Sequence, residues 1–231
     1  MADDGVSPLA LQLAVRVEKV DPPTTAAICA AAALATIALL DDQRSAAGGA
    51  WHEAVSAWNG DRIRKLTRRG RGAAWLRAQR PAGVTCSRDG AEVRAYVPGP
   101  LDAAPEELAK LQIRSTPLDE IELVDARPVC EATPTLLIAV TPHVEMSWGK
   151  QAAQCAHAGQ WAWMRADADL VDAWDRVDRP IRVLHPTDAL WADLVADAAV
   201  EIHDGGFTEV PAGTKTAVAC WSTESGLDRD R

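Results

Sequence analysis

The stretch from Pro22 to Leu40, PPTTAAICAAAALATIALL, contains no charged residue. A helix with no polar face must be removed from water on every side, in a bilayer or in a protein interior. Alanine dominates this run, and alanine gains little on transfer out of water because it carries so little apolar area. No polybasic flank follows it. The run therefore predicts a buried helix in a soluble bundle rather than a membrane span. Pro22 and Pro23 suit its start, and Asp41–Asp42 with Gly48–Gly49 suit its exit.

With 231 residues, the chain is long enough for one large domain or two small ones. Its formal charge of −9 argues against a surface that coats nucleic acid uniformly, but leaves room for a local basic patch. Phe and Tyr occur once each and Trp nine times, so any stacking on bases has to use Trp. The five cysteines, Cys29, Cys86, Cys130, Cys155 and Cys220, are odd in number and widely spaced, and no CxxC occurs. That pattern disfavours a disulfide framework or a zinc ribbon and fits reduced, buried thiols. The acidic start, MADDGVSP, does not look like a signal peptide, so a cytoplasmic location is expected.

Up to about residue 80 the pattern is helical. Trp51, Val55 and Trp58 recur at helical spacing, as do Ile63 and Leu66, while residues 9–19 are ambiguous between strand and helix. VTCSRDGAEVRAYVPGP then predicts a hairpin turning at Asp89–Gly90, and residues 104–113 predict a short helix. These features define a mainly helical N-terminal extension with a hairpin over residues 1–114. Residues 115–133, rich in proline and acids, read as a linker with a short strand at 121–124. No internal repeat is evident. From Pro134 the pattern changes: TLLIAVTP, IRVLHP, VEIHDGG and TAVACW alternate with helical segments from Lys150 and from Thr187 to Ala198. An α/β layer domain is expected over residues 134–223, with a flexible tail at 224–231.

Two stretches of that domain carry chemistry. In SWGKQAAQCAH, Lys150, Gln154 and His157 fall on one helical face, and small residues occupy the other. The second stretch, IHDGGFTEVPAGTKTAVAC, places Asp204 at the end of a short apolar run before Gly205–Gly206. Together they resemble the type 2 peptidyl-tRNA hydrolases. In that family a helix reading K-x-A-A-Q-x-x-H-A is followed, near the C-terminus, by D-A-G-x-T-x-x-x-P-G-[ST]-x-T. The matching residues are Lys150, Ala152, Ala153, Gln154, His157 and Ala158, then Asp204, Gly206, Thr208, Pro211, Gly213, Thr214 and Thr216. The match covers about residues 134–223 and says nothing direct about residues 1–133.

The resemblance implies a small mixed four-stranded sheet flanked by helices. It also implies a site without metal or cofactor that cleaves the ester joining a peptide to the tRNA 3′ end. It assigns catalysis to Lys150, Asp204, Gln154, His157 and Thr208, and substrate contacts to Thr216, Thr214 and Gly206. The chemistry is consistent: ester hydrolysis needs an oriented water and a stabilised oxyanion. Structural readings compete at each position. Lys150 and Asp204 could be a structural ion pair, Thr208 and Thr216 turn residues, His157 a hydrogen-bonded structural residue, and Gly206 and Gly213 residues that serve backbone geometry. Other chemistry is weaker. Cys155 and His157 diverge by about 200° on a helix, Ser147 lacks a nucleophile-elbow frame, and His185, His203 and Cys220 lack metal-ligand spacing.

The chain also departs from the family pattern. Thr141, His143, Glu145 and Trp148 stand where charged, mostly basic residues are common in the family, which weakens the expected hold on phosphates. In compensation, residues 61–80 are strongly basic and contain Trp75. Arg64, Lys65, Arg68 and Arg69 are candidate tRNA contacts, against the plainer reading of a solvated helix face or a contact with an acidic partner. The expected function is hydrolysis of peptidyl-tRNA or another N-blocked aminoacyl-tRNA, with tRNA as partner and no membrane; a homodimer is left open. The alternative is a non-catalytic module of the same fold that binds tRNA or a protein.

Overall fold

The structure is a computed structural model that describes residues 7–60, 63–113, 118–130 and 133–222. Its first sheet is built on strand β1 (Leu9–Arg16), which is buried along most of its length. Thr24 caps helix α1 (Thr25–Asp41) by accepting from the Ala27 amide. Then follow α2 (His52–Asn59), β2 (Lys65–Gly70), α3 (Gly72–Ala78), β3 (Gly83–Arg88) and β4 (Ala91–Tyr96). The sheet order is β2-β1-β4-β3, with β2 parallel to β1 and β4 antiparallel to it. A two-residue β5 (Gly99–Pro100) pairs with the start of β1, and a four-residue α4 (Glu106–Ala109) follows a 3-10 turn. Asp89 and Gly90, both at positive φ, form the expected hairpin turn.

The second sheet contains β6 (Leu123–Val124), β7 (Thr135–Val140), β8 (Ile181–Pro186), β9 (Val200–His203) and β10 (Lys215–Ser222), in the order β6-β8-β7-β10-β9. Helices α5 (Trp148–Arg165) and α6 (Ala168–Arg176) join β7 to the parallel β8, and α7 (Asp188–Ala196) leads to β9. The chain is thus α/β, with two mixed sheets flanked by helices. The C-terminal sheet has the four expected strands plus the short β6 at its edge.

The two halves repeat one topology. In each, a central strand is followed by two helices, a parallel strand, a third helix and an antiparallel pair that closes on the central strand. Register agrees residue by residue. Ala95 lies between Leu13 and Val84, as Ala219 lies between Ile138 and Val200. Val93 lies between Val15 and Cys86, as Ala217 lies between Val140 and Ile202. The sequence reading of no internal repeat is therefore corrected: the repeat lies in strand pairing and backbone register. The N-terminal half is not a mainly helical extension but a sheet-based copy of the fold.

Helices α1 and α5, which are equivalent, pack on each other between the two sheets. Their small residues permit the close approach. A Cβ on Gly159 would come within 2.9 Å of the Ala33 Cβ, and Cys29 and Cys155 meet as thiols in the same interface. Each helix also reaches the strand that runs parallel to the central strand of the other half, α1 to β8 and α5 to β2. This explains the uncharged alanine run: α1 has protein on every side, in a layered α/β core rather than a bundle. Among the described residues, no helix is long and apolar enough to cross a membrane.

Three local expectations also change. The basic run is not a helical face, because residues 65–70 form β2, whose alternate side chains point to opposite sides. The helix expected over 104–113 is limited to α4. Helix α6 was not foreseen, and the short strand expected at 121–124 is confined to Leu123–Val124.

Candidate active site

Ser147 caps α5, with its hydroxyl accepting from the Lys150 amide at 3.3 Å. That same hydroxyl donates to Glu209 Oε1 at 2.7 Å, and the Ser147 amide donates to Glu209 Oε2 at 2.7 Å. The loop between β9 and β10 is thus tied onto the helix start. Asp204 opens this loop, and its backbone pairs with Gly213 and Thr214 across the loop neck.

These two anchors bring Asp204 and Lys150 together. Lys150 Nζ donates to Asp204 Oδ2 at 2.5 Å and to Thr208 Oγ1 at 3.0 Å. Gln154 Nε2 also donates to Asp204 Oδ2, at 2.6 Å, and the Gly206 amide donates to Oδ1 at 2.8 Å. The Thr216 hydroxyl donates to Gln154 Oε1 at 2.9 Å, which fixes the amide so that its NH₂ faces Asp204. Asp204 is 8% exposed, yet three donors satisfy its carboxylate. Gly206 has φ +76°, and a Cβ there would come within 2.7 Å of Ala212, so both backbone and space require glycine.

His157 lies two helical turns beyond Lys150 and joins a second group. Its Nδ1 is 3.1 Å from Lys65 Nζ, and Lys65 also donates to Gln160 Oε1 at 2.5 Å. Gln160 is itself oriented by donating to Asn59 Oδ1 at 3.0 Å. Enclosure by protein pushes His157 well below the usual histidine value, and the charges of Lys65 and Lys150 push it the same way. Enclosure likewise pushes Lys65 well below the usual lysine value.

Both groups line one cavity of about 1070 Å³ between the two halves. The first half contributes Arg64, Lys65 and Thr67, and the second contributes Lys150, Gln154, His157, Asp204 and Thr208. No family model matches the chain, and no curated protein matches it.

The other sequence candidates separate. Thr214 Oγ1 donates to the Pro211 carbonyl at 2.7 Å, so its hydroxyl stabilises the turn. Arg64 lies over the Phe207 ring, 4.9 Å from its centroid, at the cavity wall. Arg68 points the other way: it is buried and donates to Gln12 Oε1 at 2.6 Å, out of reach of an external phosphate. Arg69 sits in β2, where its backbone bridges to Gln112. Thr141 and Trp148, noted as replacements for cations, are buried. Among the described residues no three His, Cys, Asp or Glu side chains converge as metal donors.

Several cavity residues escaped the sequence reading. Trp161 and Arg165 line the wall, and Arg165 lies 5.1 Å from the Trp161 ring centroid. Extending the helical face from Lys150, Gln154 and His157 by one turn reaches Trp161, so that signal was present. Gln160, Thr67 and the Ser147–Glu209 tie had no local signature.

Chemically, the site offers a carboxylate held by three donors at the cavity wall, a lysine beside it, and a hydroxyl on that lysine. This suits activation of a water by Asp204 and stabilisation of a developing oxyanion by Lys150.

Proposed function

We propose that the protein hydrolyses the ester of an N-blocked aminoacyl-tRNA or peptidyl-tRNA, releasing free tRNA. The observation that carries this reading is the grouping of Lys150, Gln154, Asp204 and Thr208 at the wall of one cavity, with Thr216 setting the Gln154 amide. These are the residues on which the resemblance to type 2 peptidyl-tRNA hydrolases rests. In the proposed reaction, Asp204 takes a proton from the attacking water and Lys150 holds the carbonyl oxygen as it becomes negative. The tetrahedral intermediate then collapses, its carbon–oxygen bond to the ribose breaks, and the ribose oxygen leaves with the proton that Asp204 had taken. Gln154 positions Asp204, and Thr208 positions Lys150.

A non-catalytic binding module is the second reading. It draws on the Lys150–Asp204 ion pair, which is closed on itself, and on the loss of cations at Thr141 and Trp148. Incubation with an N-acetylated aminoacyl-tRNA decides between them. Release of deacylated tRNA that depends on Asp204 supports the hydrolase. Tight tRNA binding with no ester cleavage supports the module.

A further inference from the structure

The two repeats share topology and strand register, so differences between matching positions identify what was added. At the start of β8 the second repeat places Ile181 and Val183 on one strand face. The matching positions in β2 are Lys65 and Thr67, which face the cavity. Ordinary packing of a strand on a helix asks for apolar residues there, as in β8.

Lys65 has no carboxylate partner among the described residues. Its amine meets only neutral acceptors, Gln160 Oε1 and His157 Nδ1, with the Trp58 ring centroid 5.0 Å away. Thr67 is 6% exposed, and its hydroxyl has no hydrogen-bond partner among the described residues. Acids do line the cavity, but each is engaged elsewhere: Asp204 by Lys150, Glu201 by Lys215 and Glu209 by Ser147. An enclosed amine without a counter-ion and a buried hydroxyl without a partner both cost stability. Of the two, the half-buried Lys65 at the cavity wall is the one a ligand can satisfy, because the Thr67 hydroxyl has no accessible area.

We propose that Lys65, carried by the first repeat, forms an anion subsite in the site of the second, and that it holds a phosphodiester group of the RNA 3′ end. This deepens the hydrolase reading and rests on it for the nature of the ligand. Lys65 touches His157, which lies seven residues, or ~10 Å, along α5 from Lys150. In an N-blocked aminoacyl-tRNA the peptide carboxyl is itself esterified. The negative charge nearest the reacting carbonyl is then a backbone phosphate of the same strand.

The test is a four-way comparison of binding by the full chain. The ligands are the dinucleoside monophosphate CpA, which ends as tRNA does, and its uncharged methylphosphonate analogue. The proteins are the wild type and Lys65→Met. The wild type is expected to bind CpA about 10- to 100-fold more tightly than the analogue, the range for a hydrogen bond to a charged group. In Lys65→Met that preference is expected to vanish, with the analogue bound as before. Lys65→Gln keeps a donor toward Gln160 without the charge and is expected to behave like Lys65→Met. A phosphate preference that persists in both variants overturns the subsite, as does a wild type that binds neither ligand. Ester cleavage by the wild type is measured separately. If cleavage fails while the Lys65-dependent preference holds, the hydrolase reading falls and the anion subsite stands.

Discussion

Trp58 and Trp174 occupy the same place in two copies of one fold. Each is fully buried, and each donates its indole N–H to the carbonyl six residues on, Trp58 to Arg64 at 3.1 Å and Trp174 to Pro180 at 2.9 Å. In both cases the next residue begins the strand parallel to the central one, β2 or β8. The indole therefore fixes where each helical segment ends and each strand starts. Only the second copy then elaborates a site. The tight turn at Asp89–Gly90 is replaced there by the loop from Asp204 to Thr214. Counted from the capping Thr24 and Ser147, Ala27, Ala31 and Leu34 stand where Lys150, Gln154 and His157 do.

Asp204→Asn and Lys150→Ala are each expected to lower turnover of an N-acetylated aminoacyl-tRNA by about 10²–10³-fold, the scale for removing an electrostatic catalytic group. Single-turnover kinetics on the purified variants measure this. Full activity in either variant rules out the roles given to the pair.

Thr216→Val removes the donor that orients Gln154 and leaves Gln154 Oε1 buried without a partner. The expected cost is about 1–3 kcal/mol of stability, readable by urea denaturation. Turnover should fall as well, because an unanchored Gln154 no longer holds Asp204. Unchanged stability and turnover together mean that the Thr216–Gln154–Asp204 chain has no function.

Gly159→Val places a branched side chain against Ala33 in the α1–α5 interface, where even a Cβ is crowded. Overpacking of this kind typically costs about 1–3 kcal/mol. Because α1 and α5 join the two sheets, the loss should appear as one cooperative transition at lower temperature. Two separate transitions in calorimetry would show that the repeats fold independently.

Lys65→Met should raise stability at neutral pH. The sign follows from proton binding: the folded lysine is pushed below its usual value, so the unfolded chain holds a proton there that the native chain tends to release. Native stability therefore increases as pH rises toward the usual lysine value of about 10.4. Methionine removes this penalty, so its advantage is largest near neutrality and closes as pH rises. The titratable group in contact with Lys65, His157, is pushed down as well and does not reverse the sign near neutrality. A variant less stable than the wild type at pH 7, or an advantage independent of pH, contradicts the assignment.

What the sequence by itself determined is local. The uncharged run had to be buried, Asp89–Gly90 had to turn, and the polar face of α5 and the short strand ending before Asp204 followed from periodicity and from turn chemistry. Candidates for the site were legible for the same reason: Lys150, Gln154 and His157 share one helical face, and the Asp204 loop has its own composition. Long-range pairing was decided only in the tertiary structure. The duplication was illegible because a sheet specifies register and burial, which unlike side chains satisfy equally well; Ala33 and Gly159 touch without resembling a motif. The basic run shows the same limit. Its charges read as one patch along the chain, but a strand sends Lys65 into the cavity and Arg68 into the opposite face. Which half of the molecule completes the site depends on α5 crossing to β2, a contact between residues more than 90 positions apart.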